Sequence, residues 1–160
     1  MYEPRVLIDL DSQRLHLFDA AGSWRDYPVS TGAAGPGEQR GSGCTPRGLH
    51  RVRLKIGAGC CPGAVFRGRR WTGEVYCEEL ARSHPGRDWI LTRILWLTGV
   101  ERGRNRGGDV DTLRRFIYIH GCPPGEPMGM PRSHGCIRMR DADLIELFDQ
   151  VPRATLVEIR

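Results

Sequence analysis

The chain has 160 residues, a formal net charge of +5 and six cysteines. That length predicts one domain with one core over residues 1–160. Lys55 is the only lysine, so the positive charge is nearly all arginine. No zinc finger, RNP motif or basic helix accompanies it, which argues against a nucleic-acid partner. Attraction of an acidic peptide fits the same charge.

Strand-like segments dominate the chain. Arg5 to Leu10 and Arg14 to Phe18 alternate or run apolar around the turn Asp11-Ser12-Gln13. A second turn, Ala20 to Ser23, leads into a strand from Trp24 to Ser30. Leu49 to Ile56 alternates apolar and basic residues, the pattern of a half-buried strand. Trp89 to Leu97 and Arg115 to His120 read as core strands. Asp141 to Gln150 is the one clear helix. Leu144, Ile145, Leu147 and Phe148 form its apolar face, Asp141 is a candidate N-cap, and Pro152 lies just past its end. The expected fold is mostly β, in the α+β class, with one prominent helix.

The opening apolar stretch, Val6 to Leu10, is short and broken by Asp9, so no secretory leader is read there. The run from Trp89 to Val100 contains Arg93 and does not suit a bilayer. No membrane partner is expected, and the location is read as cytoplasmic. A periplasmic location follows instead if a leader has been removed. In a reducing compartment Cys44, Cys60, Cys61, Cys77, Cys122 and Cys136 are expected as free thiols.

Chemistry concentrates in Ser133-His134-Gly135-Cys136, with His120 upstream after the apolar run Phe116 to Ile119. A thiol attacks a carbonyl as its thiolate, and a nearby imidazole can take the proton. Cys136 is the candidate nucleophile and His120 the candidate base, mounted at a strand end. His134 lies two residues from Cys136, so in an extended segment both share a face. Gly135 permits a sharp turn. The amides of Gly135 and Cys136 are candidate oxyanion donors. Ser133 reads as a hydrogen-bonding turn residue. Arg138 either grips a substrate carboxylate or pairs with a local acid. Tyr118 shares the strand face of His120 and either lines a groove or packs in the core with its hydroxyl paired.

This pattern resembles the YkuD family, the L,D-transpeptidase catalytic domain of bacterial peptidoglycan enzymes. The resemblance runs through Ile8-Asp9-Leu10, Gln13 to Phe18, Tyr27 to Gly32, Cys44 to Gly48, the Ser-His-Gly-Cys motif and the closing strand Ala154 to Ile159. It implies a mixed β-sandwich or flattened barrel with the helix just after the catalytic cysteine. It also implies that the carbonyl of Gly121 orients His120 and that His134 shapes the site. The implied reaction cleaves the diaminopimelate–D-alanine bond of a peptidoglycan tetrapeptide stem through a thioester, with no cofactor or metal. A water acceptor makes the enzyme an L,D-carboxypeptidase acting on soluble muropeptides. An amine acceptor makes it a transpeptidase forming 3→3 cross-links. The loop from His120 to Ser133 is slightly shorter than is usual in the family.

Cys122 stands where the family usually has Ser or Thr, and it opens two rival readings. His120, Cys122, His134 and Cys136 are a possible zinc set, although the spacing is unusual for a structural site. A reversible Cys122–Cys136 disulfide is the other.

Overall fold

The computed structural model describes residues 2–160. Its strands are β1 (Arg5–Asp9), β2 (Arg14–Phe18), β3 (Trp24–Ser30), β4 (Gly48–Ile56), β5 (Ala64–Arg67), β6 (Arg70–Val75), β7 (Ile90–Gly99), β8 (Tyr118–Gly121), β9 (Ile137–Met139) and β10 (Leu156–Ile159). Two helices, α1 (Glu78–Ser83) and α2 (Asp141–Gln150), complete the elements, with one short 3₁₀ turn at Gly108–Val110. The strands follow the order β4-β10-β1-β2-β3-β9-β8-β7-β5-β6, and β4 pairs again with β7. That last pairing closes eight strands into a barrel and leaves β5 and β6 as a hairpin attached to β7. β1 with β10 and β8 with β9 are parallel, so the sheet is mixed as expected.

Alternation dictates which side chains fill the barrel. Val6 and Ile8 of β1, Leu15 and Leu17 of β2, and Val29 of β3 point inward. They meet Ile119, Ile137 and Met139 from β8 and β9, and Leu144, Leu147 and Phe148 from α2. The helix thus packs its apolar stripe on the strands that carry the site. The turn after β1 is set by Asp9, whose Oδ1 accepts the amides of Asp11 (3.0 Å) and Ser12 (3.3 Å). Gln13 is buried there and bonds Thr31 through both its amide oxygen and its amide nitrogen. This ties the first hairpin to the loop that follows β3.

Several elements depart from the sequence expectation. β8 starts at Tyr118, not Arg115, because Phe116 adopts φ 57° at the end of a turn. The N-cap of α2 is Arg140, and Asp141 is its first helical residue. Ile145 is only half-buried. The β5–β6 hairpin, α1 and β9 carry too short or too polar a pattern to read from sequence. β7 contains a bulge between Leu91 and Ile94, where Thr92 takes φ 75° and its hydroxyl accepts the Gly63 amide at 2.9 Å.

Candidate active site

β8 alternates Ile119 into the core with Tyr118 and His120 on the other face. β9 lies parallel beside it, pairing Ile119 with Ile137 and His120 with Arg138. Cys136, the residue before β9, therefore sits on the same face as His120, one diagonal step away. Strand spacing and rise put that step at roughly 8 Å between Cα atoms. The two chemistry-bearing residues come together because β8 and β9 are parallel neighbours.

His120 is buried and its Nδ1 lies 2.7 Å from the Gly121 carbonyl. A carbonyl only accepts, so Nδ1 carries the proton and Nε2 presents a lone pair. Gly121 has no room for a side chain, since a Cβ there would lie 2.6 Å from the Leu91 carbonyl. The half-buried Cys136 thiol receives the Tyr118 amide (3.3 Å) and faces the Phe116 carbonyl (3.3 Å). Desolvation pushes that thiol up to about 12 and holds the imidazole of His120 below its ordinary range.

The cysteine loop is held by a small polar network. Ser133 donates from its hydroxyl to the Cys136 carbonyl (2.5 Å) and accepts the Gly135 amide (3.1 Å). The Thr45 hydroxyl donates to the Gly135 carbonyl (2.9 Å) and accepts the Gly32 amide (2.8 Å). The Ser133 amide bonds the Thr31 carbonyl, and the Ser133 carbonyl bonds the Ala33 amide. Gly135 itself takes φ 119°, with the Cys44 carbonyl 3.0 Å from where a Cβ would stand. The Gly135 amide is therefore committed to Ser133, which corrects its reading as a free oxyanion donor.

Arg138 is almost fully buried and pairs with Asp88 (3.1 Å) and Glu126 (3.2 Å), and it also donates to the Arg132 carbonyl (3.2 Å). Of the two readings of Arg138, the geometry is that of the local acid pair. Asp88 also holds His134, 3.3 Å from its Nδ1, with the His134 ring largely exposed. Asp88 precedes β7 and carried no signal in the sequence. Its charge falls on both His120 and Cys136. Asp88, His134 and Arg138, with Arg87, Trp89 and Tyr76, line a polar cavity of about 590 Å³. Tyr118 is buried and its hydroxyl accepts from Arg69 at 3.1 Å, so it is a packed residue with a paired hydroxyl beside the thiol.

The four residues of the zinc alternative do not converge. The Cys122 thiol turns to the Met139 carbonyl (3.5 Å), and the His134 ring turns to Asp88. Among the described residues no three His, Cys, Asp or Glu side chains gather as a metal site requires. The Cys122–Cys136 disulfide is also corrected. The register of β8 with β9 sets these residues about four steps apart, roughly 13 Å, against the ~7 Å limit for a disulfide. All six cysteines are free.

The profile of the YkuD family, described as the L,D-transpeptidase catalytic domain, matches residues 3–159. The chain belongs to that family. Solved structures share its fold. An L,D-transpeptidase from Mycobacterium smegmatis is 19% identical with a TM-score of 0.59, covering 99% of this chain and 58% of its own. An Enterococcus faecium L,D-transpeptidase is 16% identical with a TM-score of 0.59, covering 100% of this chain and 50% of its own. L,D-transpeptidase 3 from Mycobacterium tuberculosis, in complex with a faropenem-derived adduct, is 16% identical with a TM-score of 0.59, covering 98% of this chain and 60% of its own. The chain thus spans less than two thirds of the length of these relatives. No curated protein matches it.

Proposed function

We propose that this protein is a cysteine acyltransferase that cleaves the bond between diaminopimelate and D-alanine in peptidoglycan tetrapeptide stems. The observation that carries this reading is the mounting of His120 and Cys136 on one face of neighbouring parallel strands. The His120 tautomer leaves Nε2 free to take a proton. As the substrate binds, the thiol turns from the Phe116 carbonyl, and His120 accepts its proton while sulfur bonds to the scissile carbon. The Cys136 amide donates to the oxygen that becomes negative. The carbon–nitrogen bond then breaks, the proton passes from His120 to the amine of D-alanine, and a thioester remains. Water attacks the thioester, its proton goes to His120 and then to sulfur, and a tripeptide leaves. The steps call on no cofactor.

Water is the acceptor we favour, which makes the enzyme an L,D-carboxypeptidase of soluble muropeptides. The cavity beside the site is lined by charged groups that keep it hydrated. We also propose a cytoplasmic location. Six unpaired cysteines, with Cys61 and Cys77 exposed, suit a reducing compartment. The test is incubation with a disaccharide-tetrapeptide, with and without an added amine, read by mass spectrometry. Tripeptide and free D-alanine are expected. Abundant 3→3 dimers at millimolar tetrapeptide would assign the amine acceptor and make the protein a transpeptidase.

A further inference from the structure

We infer that Arg69 forms a carboxylate-binding site that receives the free C-terminus of the residue expelled from the scissile bond. The inference rests on the carboxypeptidase reading above and names what makes such an enzyme recognise a chain end.

Two arginines, Arg138 and Arg115, act on the Cys136 thiol and are already committed, and a third, Arg69, lies at the far end of Tyr118. Arg138 is neutralised by Asp88 and Glu126. Arg115 spends its guanidinium on the carbonyls of Cys44 (2.6 Å) and Gly37 (3.2 Å) and on the Ser42 hydroxyl (3.5 Å). Arg69 makes one hydrogen bond, to the Tyr118 hydroxyl at 3.1 Å. Among the described residues no carboxylate pairs with it. A guanidinium has five donors in a planar fork, so most of this one is unspent.

Its position is built rather than incidental. Arg69 and Gly68 form the two-residue turn between β5 and β6, where Arg67 pairs with Arg70. Both turn residues have positive φ, 54° at Gly68 and 64° at Arg69, the backbone of a tight hairpin. A side chain at such a position is strained, and here it is held by its contacts. The guanidinium lies 4.9 Å from the ring centres of both Trp96 and Phe116. Stacking on two aromatic faces fixes the plane of the fork and shields it from water.

The distance to the chemistry suits a chain end. The Tyr118 amide touches the Cys136 sulfur, and the Tyr118 hydroxyl touches Arg69, so one tyrosine separates the nucleophile from the cation. The terminal carboxylate of a leaving residue stands about 4 Å beyond the scissile carbon. That offset, plus a bond to sulfur at one end and a charge-assisted hydrogen bond at the other, is the reach the proposed contact requires. A substrate whose chain continues past the scissile bond, or ends in a neutral amide, leaves the Arg69 charge unanswered.

The test compares a disaccharide-tetrapeptide with its C-terminal amide, using wild type, Arg69→Gln and Arg69→Lys. Wild type is expected to cleave the free acid with kcat/KM on the order of tenfold or more above the amide, the scale of one charged hydrogen bond. Arg69→Gln should bring the two substrates within about threefold of each other by losing activity on the acid alone, and Arg69→Lys should restore part of the difference. A hairpin anchor with no contact to substrate lowers both substrates together, so equal losses overturn the inference. Equal cleavage of acid and amide by wild type also overturns it while leaving the proposed function standing. Cleavage of neither substrate overturns both.

Discussion

The Asp88 carboxylate lies 3.3 Å from Nδ1 of His134 and, through its other oxygen, 3.1 Å from Arg138. It therefore clamps two residues on either side of Cys136. Its negative charge also favours the imidazolium of His120, against burial and Arg138, which hold that imidazole below its ordinary range. Replacing Asp88 with Asn removes the charge that favours protonation. The acid limb of the pH–kcat/KM profile, set by His120, should then move to lower pH. Turnover at neutral pH should fall about tenfold, because the imidazolium formed on proton transfer loses this favourable charge. Asp88→Glu should recover part of both effects. An acid limb that stays in place would show that Asp88 is only a brace for the loop.

Cys136→Ala should abolish D-alanine release and leave the melting temperature near that of wild type, because the thiol is half-buried and its loss opens only a small space. His120→Ala should lower turnover by about 10² or more, the scale of a positioned base. A carbapenem should add once to the wild-type protein and not to Cys136→Ala, as intact-mass measurement would read. An adduct on Cys60, Cys61 or Cys122 in place of Cys136 would move the nucleophile elsewhere.

Gly135→Ala is predicted to lose activity and about 1–3 kcal/mol of stability. The added Cβ meets the Cys44 carbonyl at 3.0 Å in a backbone conformation that side chains avoid. The relief available is a shift of the cysteine loop, which would break the Thr45–Gly135 bond and move the sulfur. Paired thermal melts and turnover assays check this. Wild-type values in both would mean that the loop tolerates a different path.

His50 supplies a pH signature of stability away from the site. It is fully buried, with Nδ1 3.1 Å from the Gly48 carbonyl and Nε2 3.0 Å from the Thr112 hydroxyl. Burial pulls it down to about 4. The unfolded chain takes up this proton near pH 6.5 and the folded protein resists until about pH 4. Protonation therefore favours the unfolded state, and stability falls as pH drops through that window, by up to about 3 kcal/mol. Urea unfolding from pH 7 to pH 4 should show this slope. His50→Gln should flatten it beyond what the carboxylates contribute. An unchanged slope would place the proton uptake on other groups.

The sequence by itself determined the features whose signals are local. Alternation along β1 and β2 fixed which residues fill the barrel, because the pleat sends neighbours to opposite faces. Along β4 it did not, since His50 is buried while Leu49 is half-buried, as is Leu54 beside a bulge. The apolar spacing of α2 did the same for the helix. Ser133 to Cys136 and His120 stood out as a chemical pair, and their order along the chain pointed to the YkuD family. Tertiary structure decided everything that depends on partners far apart in the chain. The parallel pairing of β8 with β9 set His120 and Cys136 on one face, while Cys122 turned to the Met139 carbonyl and away from the thiol. Asp88 and Arg69 come from segments with no motif of their own, and each matters only through what it touches. Gly135 looked like a donor of its amide until Ser133 was found to hold it. A hydrogen bond has direction and a single proton, and sequence spacing does not reveal which neighbour takes it.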